Sequence, residues 1–247
     1  MTTALVTGSA RRIGAAIAGH LAAAGYDIAL HHQASGEDAG ALAARLRQHG
    51  RRVAVLKADL ADPAAIRTLV ADAAALGPLA LLVNNAALFE DDRIGGIDPA
   101  TFDRHIAVNL RAPLLLTEAF AQNAAPGASI VNIIDQRVLK PTPDHISYAL
   151  SKSALWSLTR MSAQALAPAI RVNAVAPGPT LPNREEGATG FAGEAAAVPL
   201  ARPVAPEAIA EAVLYLARAA HVTGQMIAVD SGQHIAWRTP DVIAVER

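Results

Sequence analysis

The chain has no cysteine among its 247 residues, so it contains no disulfide, no thiolate metal ligand and no cysteine nucleophile. That absence also fits a reducing compartment, and we expect a cytoplasmic protein. The chain has no excess of positive charge, since its formal net charge is −1. Binding to nucleic acid or to an anionic membrane would need a basic stripe. No apolar run approaches the roughly 18 residues of a membrane helix, and the N-terminus lacks the basic segment of a signal peptide. The sequence therefore predicts a soluble protein whose partner is neither nucleic acid nor membrane.

Aromatic residues are scarce as well, at 4% of the chain, so the core must rest on alanine, leucine, valine and isoleucine in close helix-on-sheet contacts. Short apolar runs typical of buried strands alternate with stretches of helical periodicity along the sequence. The runs lie at 4–6, 26–32, 53–56, 79–83, 130–134, 170–176 and 226–230. This alternation predicts βαβ units and an α/β fold, which at 247 residues often forms one domain.

The turn after the first apolar run carries a glycine at each end, Gly8 and Gly14, and an alanine-rich helix follows it. Glycines allow a tight turn and close approach of a ligand to the backbone, while the helix N-terminus offers free N–H groups to a phosphate. The pyrophosphate of a dinucleotide fits this pattern. An ordinary strand-to-helix turn that needs glycine is the alternative.

The second run ends without the acidic residue that often binds the adenosine ribose in NAD-binding units. Arg11 and Arg12 in the first turn, with Ser35 beyond the second strand, could instead hold a 2′-phosphate through charge-assisted hydrogen bonds. The sequence thus favours NADPH over NADH, although both arginines could also be solvated loop charges. For the adjacent His31 and His32 we expect an exposed strand end, since no further ligand stands at metal-binding spacing.

Two further strand ends predict contacts with the ligand. Asp59, at the end of the third run, would face adenine or cap the helix that starts near Pro63. Asn85 and Ala86 follow the fourth run, where small residues let a ligand lie against the backbone. Phe89 would then stand over that space, or it is a core or interface aromatic.

A possible proton-transfer group follows the fifth run. Tyr148 and Lys152 are spaced i,i+4, which in a helix puts phenol and ammonium on one face. A cation there would lower the pKa of the phenol from about 10 toward neutrality, so that it exchanges protons at working pH. Asp135 follows the strand end, and Asn109, within a helical pattern, would bridge a water toward Lys152. Together they suggest proton transfer, although tyrosine and lysine at this spacing are common in ordinary helices.

The last third of the chain predicts a lid and a tail. Pro177 and Gly178 end the sixth strand abruptly, and residues 179–198 lack clear periodicity, as expected of a mobile substrate lid. Residues 231–247 are too apolar to float freely, so we expect them to pack at a subunit interface. Without a linker or repeat, residues 1–247 are predicted to form a single domain.

In order and spacing, motifs over almost the whole chain resemble the short-chain dehydrogenase/reductase family: Thr7-Gly8 with Gly14, Asn84-Asn85-Ala86, Asn109, Tyr148-x-x-x-Lys152 and Pro177-Gly178. The resemblance implies a doubly wound Rossmann-type α/β domain with a seven-stranded parallel sheet and helices on both faces, a nicotinamide cofactor and a homotetramer. It also implies that Tyr148 donates a proton, that Lys152 binds the nicotinamide ribose and lowers the pKa of the phenol, and that Asn109 anchors a relay water.

Two departures narrow the resemblance. Arg12 stands where the family usually has a third glycine, and Asp135 stands where it usually has a serine, thirteen residues before the tyrosine. With Phe89 after Asn-Asn-Ala, these residues resemble the pteridine reductases, in which the aspartate replaces the serine and the phenylalanine stacks on pterin. Ala34 departs from that sub-group, where a basic residue is common, so a 2′-phosphate would depend on Arg11, Arg12 and Ser35.

Together the motifs and the resemblance assign a complete candidate site. The NADPH contacts are Gly8, Arg11, Arg12, Ile13, Gly14, Ser35, Asp59, Leu60, Asn85, Ala86, Lys152, Pro177 and Gly178. The substrate contacts are Phe89, Asp135, Tyr148 and Leu181, and the catalytic residues are Asp135, Tyr148, Lys152 and Asn109.

The resemblance therefore predicts an NADPH-dependent reductase of a pterin or folate-type C=N bond. A carboxyl group in a half-closed pocket can keep a raised pKa and deliver a proton to a ring nitrogen, directly or through Tyr148. Reduction of a small carbonyl compound, with Asp135 orienting it in place of serine, is the alternative. A dinucleotide-binding sensor without turnover is a third reading, against which intact Tyr148, Lys152 and Asn109 argue.

Overall fold

The computed structural model describes residues 2–182 and 187–237, in which strands and helices alternate as expected. The strands are β1 (Thr3–Val6), β2 (Asp27–His32), β3 (Val53–Lys57), β4 (Leu79–Asn84), β5 (Ala124–Ile133), β6 (Arg171–Pro177) and β7 (Met226–Val229). The helices are α1 (Arg12–Ala23), α2 (Gly36–Gln48), α3 (Pro63–Leu76), α4 (Pro99–Ile106), α5 (Ala112–Ala121), α6 (Ile146–Leu166), α7 (Gly187–Ala197) and α8 (Pro206–Arg218). Short 3₁₀ turns cover Gln136–Val138 and Gln233–Ile235, and a π-helical turn, Ala107–Arg111, joins α4 to α5.

Within this part of the chain, seven strands form one parallel sheet in the order β3-β2-β1-β4-β5-β6-β7. Parallel strands need crossover connections, and the helices supply them on both faces of the sheet. The strand order switches direction between β1 and β4, and the carboxyl ends of the strands meet along one edge, where ligands bind in folds of this kind. The predicted doubly wound α/β fold with a seven-stranded parallel sheet is confirmed.

Two apolar layers hold the helices to the sheet. On one face α1, α2 and α8 pack through leucines and valines such as Leu21, Leu42 and Val213. On the other face α3 and α5 pack through residues such as Leu69 and Phe120. Each of these side chains is at most 3% exposed, and burying one contributes on the order of 1.5–3 kcal/mol. The packing fixes the carboxyl edge of the sheet as a rigid platform for the site.

Several sequence-based expectations need correction. His31 and His32 are not an exposed strand end, because both lie inside β2, pair with β3 and are only 2% and 8% exposed. Part of the predicted lid, 179–198, is helical, since α7 forms there and buries Ala195. Residues 183–186 of the lid and 238–247 of the tail lie outside the described residues.

Candidate active site

The turn after β1 allows close approach to the backbone. Gly8 has a φ of 61°, in the left-handed region that favours glycine. A Cβ at Gly14 would lie 2.2 Å from the Gly8 carbonyl oxygen and 2.6 Å from Nδ2 of Asn85, so no side chain fits there. Arg11 occupies the N-cap position of α1, and its side chain makes no capping hydrogen bond. The first N–H groups of α1 are therefore not capped by Arg11.

Hydrogen bonds join this turn to the end of β4. Oγ1 of Thr7 accepts from the backbone N–H groups of Asn85 at 2.9 Å and of Ala86 at 3.0 Å. In return, Nδ2 of Asn85 donates to the carbonyl oxygens of Thr7 and Gly8 at 2.9 and 3.0 Å. The Asn-Asn-Ala motif therefore holds the two strand ends together and sets the shape of the turn.

His31 is a residue of this site that sequence reasoning missed. Its Nδ1 accepts from the backbone N–H of Gly8 at 3.0 Å, and its Nε2 lies 3.2 Å from the carbonyl oxygen of Ala58. Burial lowers the pKa of His31 to about 4, so the imidazole is neutral near pH 7 and able to accept the bond from Gly8. The tautomer with a proton on Nε2 satisfies both contacts. No motif signals this role, because it depends on where the side chain points from the end of β2.

A cavity of about 470 Å³ opens beside the turn. Its walls contain the predicted cofactor residues Gly8, Arg11, Arg12, Ile13, Gly14, Ser35, Asp59, Leu60, Asn85 and Ala86. At one end Arg11 donates a hydrogen bond to Ser35 and lies 3.3 Å from the carboxylate of Asp38. The alternative that Asp59 caps α3 is wrong, because Asp62 is the N-cap residue and accepts from the backbone N–H of Ala64 at 2.8 Å.

A second cavity, of about 270 Å³, shares Arg12, Ile13, Asn85 and Ala87 with the first. From the predicted set it adds Phe89, Asp135, Tyr148, Lys152, Pro177, Gly178 and Leu181. Of the residues predicted to act in the site, only Asn109 lines neither cavity. The two cavities meet at the switch point of the sheet, and the second holds the groups able to move protons.

The tyrosine and the aspartate of the second cavity are directly bonded. The hydroxyl of Tyr148 donates to Oδ2 of Asp135 at 3.0 Å. Burial, together with the charge and hydrogen bond of Asp135, raises the pKa of Tyr148 well above its ordinary value. This is opposite to the lowering expected from Lys152, because desolvation and a neighbouring negative charge both disfavour tyrosinate. The phenol is therefore protonated at neutral pH and aimed at a carboxylate.

The lysine of the motif is buried behind the tyrosine. Nζ of Lys152 donates to the carbonyl oxygen of Ile133 at 2.7 Å and lies 5.7 Å from the centre of the Tyr148 ring. Burial lowers the pKa of Lys152 to about 8, against the opposing effect of Asp135. The ammonium is thus held at the end of β5, largely charged near neutral pH.

Asp135 caps the 3₁₀ turn that follows β5. Its Oδ1 accepts from the backbone N–H of Arg137 at 2.8 Å, and Nη1 of Arg137 lies 3.5 Å from its Oδ2. Gln136 and Arg137 both line the second cavity. Sequence reasoning missed them, since neither belongs to a motif.

Asn109 lies in the π-helical turn and is fully buried. Its Nδ2 donates to the carbonyl oxygen of Leu88 at 2.9 Å and to Oγ of Ser151 at 3.0 Å, and its Oδ1 accepts from the N–H of Leu88 at 2.8 Å. Both side-chain N–H groups are therefore used within the protein. The geometry gives Asn109 the role of fixing the loop after β4 against α6, and the relay water stays a prediction.

Phe89 forms an aromatic wall of the second cavity. Its ring centre lies 4.4 Å from that of His145, tilted by 34°, and 4.7 Å from that of Tyr148 in an edge-on arrangement. Cζ of Arg137 lies 5.8 Å from the centre of the Phe89 ring. Phe89 is partly exposed and belongs to the cavity, so the alternative of a core aromatic does not apply.

The predicted lid, which begins after β6, contacts the turn that follows β1. The guanidinium of Arg12 donates to the carbonyl oxygens of Pro182 at 3.0 Å and Leu181 at 3.2 Å, so it is turned toward the lid, and Arg11 alone is bonded to Ser35. Arg12 has a φ of 53°, which explains why glycine is usual at this position. Glu194 of α7 accepts from Nε2 of Gln233 at 2.8 Å, and both line the second cavity.

The helix that carries Tyr148 is capped from outside. Asp92, in the loop after β4, is 8% exposed, and its Oδ1 accepts from the backbone N–H of Ser147 at 3.0 Å. The hydroxyl of Ser147 donates to the other carboxylate oxygen. Because Tyr148 follows Ser147 directly, this cap positions the phenol.

Within residues 2–182 and 187–237, no group of three or more histidine, aspartate or glutamate side chains is arranged to hold a metal ion. None of the helices seen in these ranges is long and apolar enough to cross a membrane.

Comparison with known proteins adds a family and close structural relatives. Residues 8–234 match the family described as enoyl-(acyl carrier protein) reductase. FolM alternative dihydrofolate reductase 1 from Brucella canis, complexed with NADP, is 45% identical and superposes with a TM-score of 0.94 over 98% of this chain and 97% of that one. The same enzyme from Brucella suis, also with NADP, is 46% identical with a TM-score of 0.93, over 97% and 98% of the two chains. The granaticin polyketide synthase putative ketoacyl reductase 2 of Streptomyces violaceoruber is 35% identical over 243 residues, 94% of this chain and 96% of the relative.

Proposed function

This chain belongs to the short-chain dehydrogenase/reductase family, and we propose that it uses NADPH to reduce a C=N bond of a pterin or folate-type substrate. The observation that carries the proposal is the 3.0 Å hydrogen bond between Tyr148 and Asp135. It puts a carboxylate where the family usually has a serine hydroxyl. The similarity to two FolM dihydrofolate reductases supports the same assignment.

The first cavity fits NADPH. The space at Gly14, which admits no side chain, and the N-terminus of α1 suit a pyrophosphate. Arg11 and Ser35 suit a 2′-phosphate, and no acidic side chain occupies positions 33–35 to bind ribose hydroxyls instead. Nε of Arg11 lies 3.3 Å from Oδ2 of Asp38, so this carboxylate competes with a phosphate for the guanidinium. When bound, NADPH supplies the hydride.

The residues that deliver the proton line the second cavity. A ring nitrogen must gain a proton when the carbon beside it accepts hydride. Tyr148 carries that proton at neutral pH, since burial and Asp135 hold its pKa well above the ordinary value. The proton passes to the nitrogen from Tyr148 directly or through Asp135, to which the hydroxyl is already bonded. Lys152, fixed by the Ile133 carbonyl, supplies positive charge beside the site.

Phe89 and the lid complete the substrate site. A flat heterocycle gains roughly 0.5–1.5 kcal/mol from an offset contact with an aromatic ring beyond its area burial. Phe89 offers such a ring in the cavity that also holds Asp135, and Leu181, which follows β6, lines the same cavity. We propose residues 179–198 as the substrate lid, in which Arg12 donates hydrogen bonds to Leu181 and Pro182.

We also propose a cytoplasmic homotetramer built from one domain of residues 1–247. Apolar side chains on α5, α6 and the tail are unusually exposed: Leu114 by 46%, Leu150 by 53%, Met161 by 63% and Trp237 by 63%. We expect these side chains to be covered by contacts between subunits. Light scattering of the purified protein measures the mass of the assembly, and a mass other than that of four chains would contradict the tetramer.

Reduction of a small carbonyl compound is the second candidate. The granaticin ketoacyl reductase relative favours it. In that case Asp135 would orient a carbonyl group and Tyr148 would protonate its oxygen.

NADPH oxidation with a panel of dihydropterins, dihydrofolate and small ketones separates the two candidates. We expect the wild type to use the pterins or dihydrofolate, and Asp135→Ser to slow their reduction by about tenfold or more while improving activity on ketones. Asp144→Ser is the matched control, since Asp144 lies on the same loop, pairs with Arg93 at 2.9 Å and lines neither cavity. If no pterin or folate oxidises NADPH, or if Asp135→Ser leaves their reduction unchanged, the carbonyl alternative replaces the proposal.

A further inference from the structure

The second cavity contains a cation that the mechanism above does not use. Arg137, in the 3₁₀ turn after β5, lines this cavity beside Asp135 and Tyr148. Its side chain is only 18% exposed. Among the residues that the structure describes, its ion pair is long, at 3.5 Å from Nη1 to Oδ2 of Asp135, and its Nε–H is buried with no hydrogen-bond partner.

Asp135 cannot fully compensate this charge. Its Oδ1 already accepts from the backbone N–H of Arg137 at 2.8 Å, and its Oδ2 accepts from the Tyr148 hydroxyl at 3.0 Å. A guanidinium carries five N–H donors, and burying a charged donor without an acceptor is costly. An oxygen acceptor on a ligand in the cavity would give this guanidinium a partner that Asp135 does not supply.

Arg137 lies close to the surface against which the proposed substrate would stack. Its Cζ lies 5.8 Å from the centre of the Phe89 ring, which is the wall against which a flat substrate would lie. The neighbouring Gln136 is 3% exposed, lines the same cavity, and has a buried side-chain oxygen without a partner in the described ranges. Two adjacent polar side chains with unused hydrogen-bonding capacity thus stand next to the proton-transfer pair.

We propose that Arg137 selects the substrate by donating hydrogen bonds to a carbonyl oxygen carried by the same conjugated ring system as the bond that is reduced. The inference rests on the proposed function, because it takes the second cavity as the substrate site. Oxo-heterocycles then bind well. An analogue with an amino group in place of the oxygen binds poorly. Its N–H donors point at the N–H donors of the guanidinium, so neither group finds a hydrogen-bond acceptor.

Two flat probes of nearly equal size test this. Pterin, with a 4-oxo group, and 2,4-diaminopteridine, with an amino group there, are titrated into the protein saturated with NADP⁺. Arg137→Met should weaken pterin by about tenfold or more, the loss of a charge-assisted hydrogen bond, and should not weaken diaminopteridine, which makes no such bond. Arg137→Lys, which keeps the charge and loses the planar fork, should fall between wild type and Arg137→Met.

A matched control is available on α6. Arg160 also stands over an aromatic ring, with its Cζ 5.9 Å from the centre of the Trp156 ring, and it lines neither cavity. Arg160→Met should leave both affinities unchanged. NADP⁺ binding is measured first for every variant, and if Arg137→Met fails this check, the ratio of the two affinities in Arg137→Lys decides.

The outcomes separate this inference from the proposed function. Equal weakening of both probes would mean that Arg137 only shapes the cavity, and would overturn the inference alone. Failure of the wild type to bind either probe, with NADP⁺ binding intact, would overturn the pterin assignment and this inference together.

Discussion

Replacing Asp92 with alanine should weaken both the fold and catalysis, because this carboxylate caps the helix that carries Tyr148. It accepts from the backbone N–H of Ser147 at 3.0 Å and from the Ser147 hydroxyl, at a site only 8% exposed. A helix cap contributes about 0.5–2 kcal/mol, and a buried donor left without a partner costs about 1–3 kcal/mol. Desolvation of the carboxylate opposes these gains, so we expect a net loss of about 1–3 kcal/mol in the free energy of unfolding.

Asp62→Ala is the matched control for this change. Asp62 caps α3 by accepting from the backbone N–H of Ala64 at 2.8 Å, at an exposed position remote in sequence from α6. Its loss should cost about 0.5–1 kcal/mol, as for an exposed cap. Only Asp92→Ala should also lower kcat, because fraying of the first turn of α6 moves the phenol of Tyr148 away from Asp135.

Urea unfolding measures the stability of each variant, and steady-state NADPH oxidation on a confirmed substrate measures kcat and KM. Asp92→Asn keeps one acceptor oxygen and should recover part of the lost stability. A cost below about 0.5 kcal/mol for Asp92→Ala, the range of ordinary surface substitutions, would refute the capping argument. An equal fall in kcat for Asp62→Ala would refute the link to Tyr148.

Three further predictions concern the cavities. Tyr148→Phe should abolish most turnover while NADPH binding, followed by fluorescence titration, changes by less than about threefold; near-normal turnover would exclude the proton-donor role. Arg11→Ala should weaken NADPH by roughly tenfold or more and spare NADH, and equal losses for both would contradict a 2′-phosphate site. Between about pH 8 and 10 the unfolded chain keeps a proton on Lys152 that the folded chain has released, because burial lowers its pKa to about 8. In urea unfolding, the free energy of unfolding of the wild type should therefore rise relative to that of Lys152→Met as the pH rises through this window. A difference between the two free energies that stays constant with pH would contradict this prediction.

Much of the fold could be predicted because local signals agree with the final topology. Continuous apolar runs such as 79–83 and 130–134 indicate buried parallel strands, and they form β4 and most of the buried part of β5. The glycine pair of the first turn is also partly a local signal, because a Cβ at Gly14 would meet the carbonyl oxygen of Gly8 in the same turn. Helix α7 gave no such signal, because its alanines and glycines form no apolar stripe and its helical state depends on tertiary packing.

The parts of the site that escaped prediction depend on burial and side-chain direction. The i,i+4 spacing puts Tyr148 and Lys152 on one face, but it carries no information on burial, which raises the pKa of Tyr148. Arg11 and Arg12 are neighbours in sequence, yet the positive φ of Arg12 sends its side chain to the lid while Arg11 reaches Ser35. His31 reaches Gly8 across two strand ends, a contact that no spacing rule contains.

The bond from Tyr148 to Asp135 has a consequence for the timing of successive turnovers. Under the proposed mechanism the resting protein already stores the proton that the first substrate molecule consumes. Each later cycle needs a replacement proton from solvent, delivered to a phenol that is only 7% exposed. Reprotonation of Tyr148 between product departure and binding of the next substrate therefore becomes a step of the cycle in its own right.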